Sequence, residues 1–172
     1  AKSNSEKADY EKIINEVSLE NNFYGVLASL DKIKILIKAN NIELAHKEYL
    51  SLLNKDEIDS IYKTAIAINA SYTMLDKIYL KVGSGIGKSI EQGAMIEYLN
   101  KYLEFVDPTL KAYEAAKLEL VFLISVIINK ENNDISSFEK MENSYNQLIK
   151  NENIPSSLKE RVKKIHEFQI YK

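Results

Sequence analysis

The stretch VGSGIGKSI, Val82 to Ile90, gathers three glycines, a lysine and two serines. These are the residue types of a phosphate cradle, in which backbone N–H groups wrap a phosphate, lysine neutralises it and a hydroxyl holds magnesium. The spacing fails that chemistry. The cradle needs a glycine five positions before Gly87, and that position is Val82; Gly83 comes one residue too late. The context fails as well, because SYTMLDKIYLKV continues a helical stripe where a buried strand is required. No second strand with a magnesium-holding acid follows. The expected role is a connection, with Gly83 ending one helix and Ser89 near the start of the next.

Other chemistry is equally sparse. Glu114 with Glu119, Asp56 with Asp59, and Glu139 with Glu142 could be acid/base pairs, but none comes with a histidine or a glycine turn, so solvated helix faces explain them better. His46 and His166 lie far apart in predicted helices and are expected on the surface or in packing rather than as ligands or bases. The chain has no cysteine, which removes thiol catalysis, disulfides and zinc thiolates. No catalytic, cofactor-binding or metal-ligating residue is assigned, and no cofactor is expected.

Composition narrows the partners. The 172 residues suffice for one sizeable core, and 23 basic against 25 acidic residues leave a net charge of −2. Nucleic-acid binding is not expected without a concentrated basic face. Arg161 is the one arginine, so recognition of phosphate or carboxylate by guanidinium forks is poorly supplied. The most apolar run, LELVFLISVII from Leu118 to Ile128, would rise only about 16 Å as a helix, against about 30 Å of hydrocarbon. It cannot span a membrane, and is expected at the centre of a helical core.

The elements that must position these residues are helices almost throughout, since five glycines and two prolines barely interrupt a three-and-four periodicity. The first is expected over Glu6 to Val17. The second covers Phe23 to Ala39, with Val26, Leu27, Leu30, Ile33 and Ile37 inward. A third, capped by Asn40 and Glu43, turns Leu44, Ala45, Tyr49, Leu52 and Leu53 inward. A fourth, announced by Asn54 and Glu57, reaches about Lys81 on a stripe of Ile58, Ile61, Tyr62, Ala65, Ile68, Tyr72, Leu75 and Tyr79. A fifth spans Ser89 to Glu104. Asp107 and Pro108 open a sixth that ends near Asn129. Ser136 with Glu139 starts a seventh ending near Lys150. Pro155 precedes an eighth with Leu158, Val162, Ile165 and Phe168 inward.

A four-residue step from a small or flexible residue to an aromatic recurs in Ala45/Tyr49, Ala94/Tyr98 and Met141/Tyr145, at separations of 49 and 47 residues. YGVLA at Tyr24, YKTAI at Tyr62 and YEAAK at Tyr113 correspond loosely in the preceding helices. Helix pairs repeating in this way are expected to stack as antiparallel hairpins, each covering its neighbour's apolar face.

The segment from YEAAKLELVFLISVIINKENN through SSFEKMENSYNQLIKNENIPSSLKERVKKIHEF resembles the C-terminal half of the tetratricopeptide-repeat-like domain of the ancillary Sec translocon subunit family. Pro155, Leu158, Lys159 and Arg161 stand at the positions of its closing segment. NNFYGVLASLDKIKILIKANNIELAHKEYLSLL resembles its first repeat, with Ala45 and Tyr49 at the small and aromatic positions, and the Lys- and Asn-rich composition resembles a rickettsial branch. Departures are the absence of tryptophan, asparagine pairs in place of glycine-acid turns, and the glycine-rich insertion.

The resemblance implies an all-α, tetratricopeptide-repeat-like right-handed solenoid of about seven to eight helices in stacked antiparallel hairpins. Residues 1–20 would be an N-terminal helix following a missing membrane anchor, consistent with a chain that begins at Ala1, and residues 21–172 the helical domain. It also implies a membrane-anchored protein whose domain faces the periplasm and binds translocon or chaperone components. Tyr62, Asn69, Tyr113 and Lys117 are the partner-groove candidates on the presumed groove-lining helices; the two tyrosines could equally be packing residues. The competing class is an all-helical small-molecule binder or enzyme with a pocket near the glycine-rich loop. The first class expects an open groove and the second an enclosed cavity.

Overall fold

The computed structural model describes residues 2–20, 22–83 and 89–170, and every regular element among them is helical. In chain order these are α1 (Lys2–Val17), α2 (Phe23–Lys38), α3 (Ile42–Leu53), α4 (Ser60–Gly83), α5 (Ser89–Glu104), a 3₁₀ turn (Lys111–Tyr113), α6 (Glu114–Asn132), α7 (Ile135–Lys150) and α8 (Ser156–Ile170). The chain divides into two compact units, Ala1–Ala67 and Ile68–Lys172. α4 stops at Gly83 and α5 begins at Ser89, where the glycine spacing puts those ends; Ser84 to Lys88 lie outside the described residues.

Unit 1 is built on α2, which packs against both α1 and α3. Asn22 starts α2 by accepting the Gly25 N–H on its side-chain oxygen at 2.9 Å, satisfying one of the donors a helix start leaves unpaired. The turn from α1 is so tight that a Cβ on Gly25 would overlap the main-chain oxygen of Glu20 and meet its carbonyl carbon at 2.9 Å. Only glycine fits there. At the other end Asn40 adopts φ 58°, the left-handed conformation that asparagine tolerates, and reverses the chain into α3. Asn40 therefore closes α2 instead of capping α3; Asn41 holds the cap position and makes no side-chain bond there. Asn54, expected to announce α4, closes α3 by donating to the Leu50 carbonyl at 2.8 Å.

The covered face of α2 is rotated from the one its large apolar residues suggest, whereas α3 buries Ala45, Tyr49, Leu52 and Leu53 as expected. On α2 the buried residues are Gly25, Ala28, Ser29 and Ile33, while Leu27 stays 44% exposed. On α3, Ile42, Ala45, His46, Tyr49, Leu52 and Leu53 are buried and Leu44 is not. Small residues let helix axes approach, and close packing gains dispersion contacts along the whole seam. On α4 the buried residues are Thr64, Ile66, Ala67, Ile68, Ala70, Ser71, Met74, Leu75 and Ile78, so Ile68 and Leu75 of the expected stripe lie inside while Ile61 and Tyr62 stay exposed.

Unit 2 is organised around α6, which contacts α5, α7, α8 and the 3₁₀ turn. Leu120 and every residue from Phe122 to Ile127 are buried, which bears out the central placement expected for the apolar run. α6 and α7 run antiparallel. Ser125 meets Ser144 at 2.8 Å, and further along α6 Asn129 meets Met141 and Ser137, earlier on α7. Asn133, at φ 51°, makes the reversal, and the Asp134 carboxylate caps α7 by accepting the Ser137 N–H at 2.7 Å. The cap falls two residues before the expected Ser136. Asp107 and Pro108 likewise do not open α6: Asp107 accepts from the Thr109 N–H and hydroxyl, and the 3₁₀ turn intervenes before Glu114. α8 starts as expected, with the Pro155 carbonyl accepting from Leu158 and Lys159.

Candidate functional site

The rotated packing of α2 leaves an open groove of about 390 Å³ between α2 and the first turns of α4. One wall is a ridge of Phe23, Leu27 and Leu30, at positions i, i+4 and i+7; the other is Ile58, Tyr62, Ala65 and Ile66. Phe23 is 68% and Tyr62 61% exposed, so both present large apolar surface at the mouth. Single exposed apolar residues are ordinary, but Phe23, Leu27 and Tyr62 line one groove together.

The groove's polar groups sit at its rim. Lys55 turns its ammonium toward the main-chain carbonyls of Ser18 and Glu20, at 3.5 and 3.4 Å, at the chain end of α1 where carbonyls lack helical partners. Glu57 and Asp59 line the same rim and make no ion pair among the described residues. The Asp59 carbonyl accepts the Lys63 N–H and so opens α4. No nucleophile with a neighbouring base lines this groove, whose walls are mainly apolar.

Unit 2 buries two sets of polar residues, one of them around Glu119, expected on a solvated helix face. Glu119 is buried on α6, and both carboxylate oxygens are committed: Oε1 accepts from the Arg161 guanidinium of α8 and Oε2 from the Tyr72 hydroxyl of α4 at 2.7 Å. Burial, with the hydrogen bond to Glu119 second, pushes the Tyr72 hydroxyl well above its ordinary pKa of 10.0. His166 is also buried. Its ring stacks on Tyr145 with centroids 3.7 Å apart and planes within 3°, and its Nε2 bonds the Glu142 carboxylate. Each set joins different helices and has its polar atoms already paired, an arrangement that holds α4, α6 and α8, or α7 and α8, in register.

The four partner-groove candidates fall in both units. Tyr62 lies in the unit 1 groove, whereas Asn69, Tyr113 and Lys117 belong to unit 2. Asn69 is exposed, and Tyr113 and Lys117 are half-buried. Sequence reasoning missed Phe23 as a surface residue and took Leu27 for core. The signal for the groove is present as two adjoining apolar ridges on α2, one rich in small residues and one in large. Among the described residues no group of three or more histidine, aspartate or glutamate side chains is placed to hold a metal ion, and no helix is long and apolar enough to cross a membrane. Protein-family models, curated proteins and solved structures contain no match for this chain.

Proposed function

We propose that this chain is a non-enzymatic protein-interaction domain that holds a partner segment in the groove of unit 1. The supporting observation is the groove between α2 and the start of α4, with Phe23, Leu27 and Tyr62 exposed along it and the buried Ile58 and Ile66 at its base, beside a close-packed seam of small residues. Covering one such large apolar side chain is worth about 1.5–3 kcal/mol, a gain that a partner sets against the cost of association.

The resemblance to the ancillary Sec translocon subunit family adds the remainder of the proposal. In it the helices form a tetratricopeptide-repeat-like solenoid, an N-terminal segment anchors the protein at the periplasmic face of the inner membrane, and the partners are translocon or chaperone components. The α2–α3 and α6–α7 hairpins, with Ala45 and Tyr49 buried in the first and Met141 in the second, are in keeping with that repeat.

The test is site-specific photo-crosslinking in cells with the intact protein, placing the photoreactive residue at Leu27 or Tyr62 and, as a control, at exposed Glu152. Adducts with translocon or chaperone proteins at the groove positions alone are expected. Purification of the protein with a tightly bound metabolite, and no protein adduct at either groove position, would overturn the reading.

A further inference from the structure

Resting on the reading of the chain as a protein-interaction domain, we propose that the occupant of the unit 1 groove is an amphipathic helix of another protein, flanked by lysine or arginine. The shape of the walls points to a helix. Phe23, Leu27 and Leu30 form a helical ridge at i, i+4 and i+7, Tyr62, Ala65 and Ile66 lie on the first turns of α4 opposite, and the trough between two helices accepts the ridge of a third. An added strand would need unpaired main-chain donors and acceptors along an edge, whereas the N–H and C=O groups within a helical wall are already paired.

The rim supplies the charge preference. Lys55 is turned to the Ser18 and Glu20 carbonyls, leaving Glu57 and Asp59 as the carboxylates lining the opening, with exposed Asp56 next to them. The N-terminal dipole of α4 offsets part of the charge on Asp59, so Glu57 is the main attractant. An acidic rim draws a cationic flank and repels anionic lipid headgroups, which favours a basic helix over a membrane surface as the occupant.

The probe is a fluorescein-labelled helical peptide with leucines at i, i+4 and i+7 and lysines at both flanks. A second peptide carries glutamates in place of the lysines. Anisotropy titrations with the full chain are expected to show the lysine peptide binding about tenfold tighter at low salt, with the gap closing as salt screens the rim. Glu57→Lys combined with Asp59→Lys should reverse the preference. Leu27→Asp should abolish binding of both peptides with an unchanged far-UV circular dichroism spectrum; Tyr62→Ala, at a more exposed site, carries the same test if Leu27→Asp unfolds the chain.

Equal binding of the two peptides, or a preference that the double charge reversal does not move, overturns the basic flank while leaving the groove as a protein site. Peptide binding untouched by both groove variants overturns the groove and the interaction reading with it. Tighter association with phosphatidylcholine–phosphatidylserine vesicles than with the lysine peptide assigns the surface to lipid instead. A Leu27-dependent dimer in analytical ultracentrifugation assigns it to a second copy of the chain.

Discussion

Gly25 approaches Glu20 so closely that any side chain at this position would overlap the Glu20 carbonyl oxygen. The obstructing atoms are main chain, including Val17 O at 3.3 Å from the Cβ position, and cannot rotate away as a side chain would. The α1–α2 turn therefore requires glycine for its space, and the same residue supplies the N–H that Asn22 caps.

Gly25→Ala should destabilise the protein by about 2 kcal/mol or more, although alanine is the better helix former by about 1 kcal/mol. Urea unfolding followed by circular dichroism measures the balance. A neutral or stabilising result would mean that α1 and α2 separate at no cost.

Arg161→Met should cost about 1–2 kcal/mol by leaving Glu119 with one donor in a buried site. The figure is held below that of a fully buried pair because the Arg161 side chain is 61% exposed. A double-mutant cycle with Glu119→Gln isolates the pair; coupling near zero would remove it as a tie between α6 and α8.

Tyr72 makes stability pH-dependent on the alkaline side. Its folded-state pKa is raised above the ordinary 10.0, chiefly by burial, so the folded state binds the proton more tightly than the unfolded chain. The resulting stabilisation is fully present below pH 10 and lost as pH rises from there toward the higher folded value. Tyr72→Phe should flatten that decline in unfolding measurements between pH 9 and pH 11, and absorbance titration should show one tyrosine fewer ionising in the native wild type.

His166→Ala should cost about 2 kcal/mol by removing the stack on Tyr145 and the bond to Glu142 together. His166→Phe should restore part of the loss, because a ring can still stack, while the Glu142 bond stays lost. Equal losses in the two variants would assign the whole effect to the hydrogen bond.

Helix content and most helix ends were legible in the residue order. α4 ends at Gly83, Ser89 to Glu104 forms a helix over the expected span, and the run from Leu118 to Ile128 lies at the centre of unit 2. These follow from short-range physics: backbone freedom at glycine, periodic burial, and a helix apolar all round. The caps were less legible because Asn40 and Asn54 can each serve either end of a helix, and the turn geometry selects which.

The sequence by itself determined that the chain forms amphipathic helices, that thiol chemistry is absent and that the glycine-rich stretch lacks the spacing of a phosphate cradle. The tertiary structure alone decided which residues at the start of α2 and of α4 are covered. On α2 the Gly25–Ala28–Ser29 face is covered and Leu27 is left at a groove; on α4 Thr64, Ala67 and Ser71 are inside while Tyr62 is out. Hydrophobicity ranks leucine and tyrosine above glycine and serine and so points to the wrong face. Close approach between helices favours the small residues, and that gain exists only once a neighbouring helix is there to be approached.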